Sequence, residues 1–441
     1  MPRPATDRPT ASPARTPRGA PLEPLHLAPW HLAPLTLIVA ALLYPSHALA
    51  TNGYFSNGYG VKGQGLGGAG IALPLDGLAA ATNPAGTAGV EDRIDLGLSW
   101  FRPSRSATIV GNPAGDASYS GDGKKNFFIP EIGYVKRLSP ALSTGVAVYG
   151  NGGLNTEYET NPYGRFGASG TAGVNLEQLF VSPSVAWTPV RDQSIGVALN
   201  LAYQRFAAKG IGFFGGFSLA PGQVSDQGTD TSTGVGARVG WRGAVAPGLT
   251  LGATWASKIN GRFEKYRGLF ANDGEFDIPE NYGIGLAFAA APGISIATDV
   301  QTIRYSKVAA VGNSLSLLLQ GKALGSSGGP GFGWRDVTVY KVGIDAKVSP
   351  DLVLRAGFSH GRQPVPASET FFNILAPGVV ENHFTAGATW RLGGGELTGF
   401  AAYAPGKTVN GSGSIPPSFG GGEANVRLKE FVIGVGYGWR L

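Results

Sequence analysis

The chain has 441 residues, 43% of them hydrophobic, a formal net charge of +6 and no cysteine. The missing cysteine excludes a disulfide framework, a thiolate metal site and a cysteine nucleophile. Seventy glycines and 31 prolines accompany many aromatics, which argues against disorder, and no basic run or recognition helix supports a nucleic-acid partner.

Residues 1–50 read as an export signal. Arg3, Arg8, Arg15 and Arg18 precede a short apolar run from Leu35 to Tyr44, and Ala48-Leu49-Ala50 is a small-x-small cleavage site, with cleavage expected before Thr51. The run is about half the ~20 residues a spanning helix needs, and no later segment reaches that length.

Residues 51–92 do not alternate. A glycine-rich run from Gly58 to Gly70 leads to Asp76 and then Asn83-Pro84-Ala85-Gly86. The spacing Gly63-x-Gly65-x-Gly67 has neither the leading strand nor the βαβ unit of a dinucleotide site. Glycines permit close backbone contact, so the segment reads as a compact plug at the head of a barrel.

From residue 93 to 441, apolar residues recur at every second position in about fourteen runs. Examples are Ile94, Leu96, Leu98, Trp100; Ile195, Val197, Leu199, Leu201, Tyr203; and Phe431, Ile433, Val435, Tyr437, Trp439, Leu441. Short connections carry a turn signal: Ser139-Pro140, Thr188-Pro189, Ala246-Pro247-Gly248, Ala291-Pro292-Gly293, Ser349-Pro350-Asp351 and Gly393-Gly394-Gly395. They alternate with long segments near 104–125, 150–175, 206–233, 259–279, 306–333, 361–380 and 405–425. Short turns on one side and long loops on the other are the asymmetry of outer-membrane barrels. The predicted fold is all-β: a transmembrane antiparallel barrel of about 14 strands over 93–441, with a hatch over 51–92 plugging the lumen. So wide a barrel is not filled by wall side chains alone, so its apolar face is expected outside and Arg238, Arg242, Lys258, Arg355 and Arg391 inside. Trp100, Trp187, Tyr203, Trp241, Trp255, Trp390 and Trp439 end apolar rows, as an interfacial girdle would.

Two loops are unusually apolar. One holds Ile211, Phe213, Phe214, Phe217 and Leu219, the other Phe263, Tyr266, Leu269, Phe270 and Phe276. Such patches mark a ligand groove, or residues that pack on one another as a lid. Val311 to Leu319 reads as a short helix over the mouth. Enzymatic chemistry finds little support: His26, His31 and His47 lie in the export segment, and His360 and His383 read as solvated residues at or near loops. No nucleophile elbow or clustered metal ligands are present, so catalytic residues, metals and cofactors are not expected.

The order of Gly67-Gly68-Ala69-Gly70, Asp76, Asn83-Pro84-Ala85 and then fourteen strands resembles the outer-membrane long-chain fatty acid and hydrocarbon transporters of the FadL/TodX type, across residues 51–441. The resemblance implies that the hatch closes the lumen, making Gly67, Gly68, Gly70, Asp76, Asn83, Pro84 and Ala85 gating candidates. It also implies a hydrophobic ligand site near the hatch and an inward kink in the third strand, here 141–149 running into Gly150, Gly152 and Gly153, that opens a lateral route. The chain departs from many such barrels in ending in Leu441, not Phe, and the family's carboxylate-binding positions have no matching local motif.

The function expected is passive uptake of hydrophobic compounds, foremost long-chain fatty acids, by a monomer whose partners are hydrophobic small molecules and outer-membrane lipid. Aromatic hydrocarbon uptake is the alternative within the family; a general porin, a surface adhesin and an outer-membrane lipase are alternatives from other classes. Arg238, Arg242 and Arg355 are candidates for an anionic headgroup, because a poorly hydrated cation forms charge-assisted hydrogen bonds to carboxylate. The competing role for these arginines is pairing with acidic lumen residues or hatch carbonyls.

Overall fold

A computed structural model describes residues 52–441; the export segment expected over 1–50 lies outside the described residues. The strands are β1 (Arg93–Val110), β2 (Ala117–Ser120), β3 (Phe127–Ser139), β4 (Leu142–Tyr158), β5 (Ala172–Val190), β6 (Gln193–Lys209), β7 (Asp230–Ala246), β8 (Leu249–Ala256), β9 (Asn281–Ala291), β10 (Ile294–Ile303), β11 (Val337–Lys347), β12 (Leu352–Gly361), β13 (Asn382–Leu392), β14 (Gly395–Val409) and β15 (Glu423–Arg440). The short β2 pairs with the outer half of β1. The other fourteen pair antiparallel in chain order, and β15 returns to β1 from Arg93↔Arg440 to Val110↔Glu423. Closure leaves the barrel with no free edge, the condition for strands to cross lipid. No described helix is long and apolar enough to do so.

The apolar rows point outward. On β6, Ile195, Val197 and Leu199 are 47%, 52% and 46% exposed, whereas Ala198, Asn200 and Gln204 between and beyond them are 1% exposed. Period-two alternation therefore sorts lipid-facing from lumen-facing residues, as the sequence pattern predicts.

Three expectations need correction. Thr188-Pro189 is not a turn: β5 continues to Val190, with a shift of register between Trp187 and Val190. Proline lacks the ladder N–H and disturbs the pairing there, while the chain reverses at Arg191-Asp192, where Asp192 takes φ 62° as Asp readily does. The segment 150–175 is also not mainly loop, because β4 and β5 pair as far as Tyr158↔Ala172. Leu154, Tyr158 and Val174 are buried along this extension. Val311–Leu319 forms no single helix; it falls into turns at Ala309–Gly312 and Leu315–Gln320.

Leu199 stands on the lipid face near the middle of β6. Leu199→Arg is expected to cost about 2–4 kcal/mol, read from urea-dependent folding into lipid vesicles. An unchanged transition midpoint would contradict the assignment of this face to lipid.

Candidate functional site

The hatch has little regular structure of its own. Single turns at Val61–Gly65, Ala79–Thr82 and Pro84–Gly89 are joined by irregular backbone, whose polar groups need partners elsewhere. Lumen-facing charges on the wall supply them. Asp299 on β10 accepts from the amides of Gly70 and Ile71 at 2.7 and 3.0 Å, Asp95 on β1 from Gly77 at 2.8 Å, and Glu131 on β3 from Gly60 at 3.2 Å. In the opposite sense, Arg242 donates to the Ala72 carbonyl at 2.9 Å, Arg238 to that of Thr82 at 3.2 Å, and Lys341 to that of Asn57 at 2.8 Å. Hydrogen bonds to charged groups are each worth roughly 1.5–3 kcal/mol, so the clamps outweigh any turn within the hatch.

Approach this close requires a wall without side chains. A Cβ added to Gly152 would overlap the Tyr54 carbonyl, one on Gly196 the Pro84-Ala85 peptide, one on Gly240 the Asn83 side chain, and one on Gly357 the backbone at Gly67. The sparse bulk of the inner face is thus the imprint of the hatch.

Asn83-Pro84-Ala85 is a cap and an anchor together. Asn83 Oδ1 accepts from the Ala85 amide at 3.1 Å, capping the following turn, while its Nδ2 donates to the carbonyls of Ile71 at 2.8 Å and Trp241 at 3.0 Å. Pro84 opens that turn, where a missing N–H costs nothing, and Ala85 is wholly buried against Gly196. Gly67 and Gly68 take φ of 69° and 77°, a left-handed bend, and the Gly67 amide donates to Thr385 Oγ1 at 2.8 Å. At the short-turn end, Lys62 pairs with Glu396 at 2.6 Å, and Arg93 with Asp95 at 2.7 Å and Glu396 at 3.1 Å. Asp76 is buried beside this network, its Oδ1 accepting from the Leu78 amide at 3.0 Å. Burial, with the Asp95 charge second, raises its carboxyl to about 6 against the pull of Lys62 and Arg93.

The arginines proposed for a headgroup are all engaged. Arg238 and Arg242 hold hatch carbonyls, and Arg355 pairs with Asp345 at 2.7 Å and donates to Thr389 Oγ1 at 2.6 Å. Lys258 pairs with Asp277. The competing role for the arginines is the one the geometry displays.

The apolar loops form a roof. Ile211, Phe214, Phe263, Tyr266, Leu269 and Phe270 are buried and Phe213 is half-buried, so they do not line an open groove; Phe217 and Leu219 are exposed at the rim. Phe206 on β6 nucleates one side, with ring centroids 4.8 Å from Tyr266 and 4.8 Å from Phe270. Tyr163 and Phe372 flank Phe214 at 5.4 and 5.3 Å. Beneath the roof, Tyr54 of the hatch lies 5.0 Å from Tyr305 and 5.8 Å from Trp334, and its amide donates to Tyr305 Oη at 3.1 Å. Sequence reading missed Tyr163, Tyr305, Trp334 and Phe372, whose only signal was a scatter of single aromatics in long loops.

Two further placements bear on the site. In β4 the register shifts between Gly150 and Gly152, leaving Asn151 as an extra residue whose carbonyl accepts from Ser56 of the hatch at 3.0 Å. This is a bulge where the third long strand was expected to kink. His383 is not a solvated loop residue: it lies buried on β13, its Nδ1 3.3 Å from Ser359 Oγ. His360 is exposed, also on a strand, against Asn382. Among the described residues, no group of His, Asp and Glu is arranged to hold a metal.

The hatch clamps carry two predictions. Gly240→Val is expected to displace Asn83 and raise ion conductance in planar bilayers several-fold with the barrel still assembled; parental conductance would contradict the seating. Because the folded Asp76 carboxyl lies above its unfolded value of 3.8, the stabilisation that it adds is complete below that value and is lost as pH rises through about 6. Conductance should therefore climb between about pH 4 and pH 7, and Asp76→Asn should reduce the climb.

The chain matches the sequence profile of the outer membrane protein transport protein family (OMPP1/FadL/TodX) over residues 42–404. No curated protein sequence matches it. Among solved structures, it is similar to a FadL homologue of Pseudomonas aeruginosa, with a TM-score of 0.68 and 16% identity over 88% of this chain and 99% of that one. The toluene transporter TodX of Pseudomonas putida gives a TM-score of 0.64 and 17% identity over 89% and 100%. The toluene transporter TbuX of Ralstonia pickettii gives 0.61 and 17% over 87% and 99%. These likenesses fix the shared fold, and the family match extends across most of the sequence: the chain belongs to the outer membrane transport proteins of the FadL/TodX family.

Proposed function

We propose that the protein is a passive channel for neutral hydrophobic compounds, which enter through the aromatic roof, pass beside the hatch and leave sideways into lipid at the β4 bulge. The observation that carries this reading is the lumen itself: a backbone hatch occupies it under a roof of buried aromatics, with a strand irregularity at their junction. A water-filled pore gives an apolar solute no gain, since keeping it wet costs ~0.8 kcal/mol per CH2. Lateral release avoids that cost.

Long-chain fatty acids, the leading expectation from the sequence, lose the support of the three arginines, which are tied to hatch carbonyls and Asp345. Two of the similar structures are named as toluene transporters, which agrees with a neutral cargo. The engaged cations, the hatch and the roof also give a general porin or an adhesin little to work with.

Uptake into cells carrying the protein, measured side by side for toluene, methyl oleate, oleate and sucrose, tests the reading. Toluene and methyl oleate should enter faster than oleate, and sucrose should stay out. Deleting Asn151, which regularises β4, should abolish hydrophobic uptake in a barrel that still migrates differently before and after boiling. Faster uptake of oleate would restore the fatty acid reading, and entry of sucrose would favour a porin.

A further inference from the structure

On the outer wall, Phe384, Tyr403 and Phe431 stand directly opposite one another across β13, β14 and β15, and the Trp100 ring of β1 lies 6.2 Å from that of Phe431. The same face of β15 reaches Trp439 at the short-turn end, ~20 Å away along the barrel axis for a strand tilted by about 40°, close to the height of the apolar band of such barrels. The four rings therefore mark the girdle on the long-loop side, where the outer leaflet meets water.

Three exposed cations stand on this girdle. Lys429 Nζ lies 5.5 Å over the Tyr403 ring, the Arg102 guanidinium 5.9 Å over that of Trp100, and Arg427 follows Lys429 on the same face of β15. In the β1–β15 ladder Arg102 pairs with Phe431 and Ser104 with Lys429, so Arg102 and Lys429 are diagonal neighbours whose long side chains can meet one ligand. Arg427 lies over the bare backbone of Gly406, where a Cβ would strike its guanidinium, and its Nη1 donates to Thr408 Oγ1 at 3.1 Å. Among the described residues, none of the three has an acidic partner. Other wall cations do: Arg205 pairs with Glu177 at 3.3 Å, Lys209 with Glu157 at 2.8 Å and Lys407 with Glu381 at 2.7 Å. The acids at the outer end of the β1–β15 wall are already engaged, Asp122 by Ser104 and Arg105, and Glu423 by the amides of Gly413 and Ser414. Like charges gathered without acids repel one another, and the patch is complementary to an anion held at the membrane surface.

We infer that Arg102, Arg427 and Lys429 form a binding site on the outer wall for the phosphorylated headgroup of an outer-leaflet lipid. Its phosphate oxygens accept charge-assisted hydrogen bonds from the two guanidinium groups and the ammonium group, and its acyl chains lie along the apolar row that continues through Leu98 and Ile433. The aromatic rings beneath the cations hold them in the interface, where a headgroup lies, while the unpaired charge selects phosphate over a neutral headgroup. This site is on the lipid face and is separate from the route proposed for cargo.

The test is native mass spectrometry of the full chain in mild detergent, titrated with diphosphoryl lipid A and with the same lipid stripped of both phosphates. The wild type should bind the phosphorylated lipid roughly tenfold or more tightly than the stripped one. Arg102→Gln, Arg427→Gln and Lys429→Gln should each weaken binding of the phosphorylated lipid about fivefold, and on the order of a hundredfold when combined, with the stripped lipid unaffected. The three side chains are exposed, so the combined variant should still migrate as a folded barrel before boiling. Arg205→Gln removes a cation that is already paired and should change nothing. Equal binding of the two lipids by the wild type overturns the site, as does a preference that survives the combined substitution. A comparable loss from Arg205→Gln would reduce the effect to overall charge and also overturns it. Displacement of the lipid by an excess of inorganic phosphate would make the free anion the ligand and overturn the lipid as occupant.

Discussion

The structure depends on one constraint: a backbone segment with few internal hydrogen bonds must satisfy its amides and carbonyls inside a barrel that lies in lipid. Water cannot be relied on to do this, so the wall has to come within hydrogen-bond distance. Glycine at inward positions such as Gly196, Gly240 and Gly357 makes that approach possible, and charged side chains between them reach the remaining groups. An alanine at Gly196 or Gly357 asks two backbones to move apart, and one at Gly240 asks the Asn83 side chain to leave its seat.

This division of labour explains an otherwise odd composition. The outer face of each strand is selected for lipid, and the inner face for the hatch. Acids such as Asp299 and Asp95 serve amides, and bases such as Arg242 and Lys341 serve carbonyls. The inward arginines that first suggest an anionic cargo are spent on the hatch and on Asp345, and the proposal of neutral solutes rests on that.

The barrel was legible in the sequence because lipid imposes a strict period of two, and because short turns alternate with long loops. The hatch was legible in outline: glycines without alternation, then Asn83-Pro84-Ala85, mark a segment whose backbone does the work. What the sequence could not show was pairing across space. Nothing local says that Arg238 reaches Thr82, or that Arg355 reaches Asp345. Phe206 joins Phe263 and Tyr266 only when β6 and a distant loop meet. His383 was misplaced because a strand end next to a long loop looks like loop, and its burial comes from the hatch packed against it. The Thr188-Pro189 turn failed because Pro189 sits in a disturbed register with the true reversal two residues later.

The central claim is that the hatch is part of the wall's hydrogen-bonded structure and not a loose cork. Amide hydrogen exchange on the full chain in lipid nanodiscs tests it most directly, followed by mass spectrometry on peptides covering 66–78. The clamps on Gly70, Ile71 and Gly77 predict exchange as slow as that of the β6 and β7 strands. Exchange of those peptides within seconds, while the strands stay protected, would contradict it.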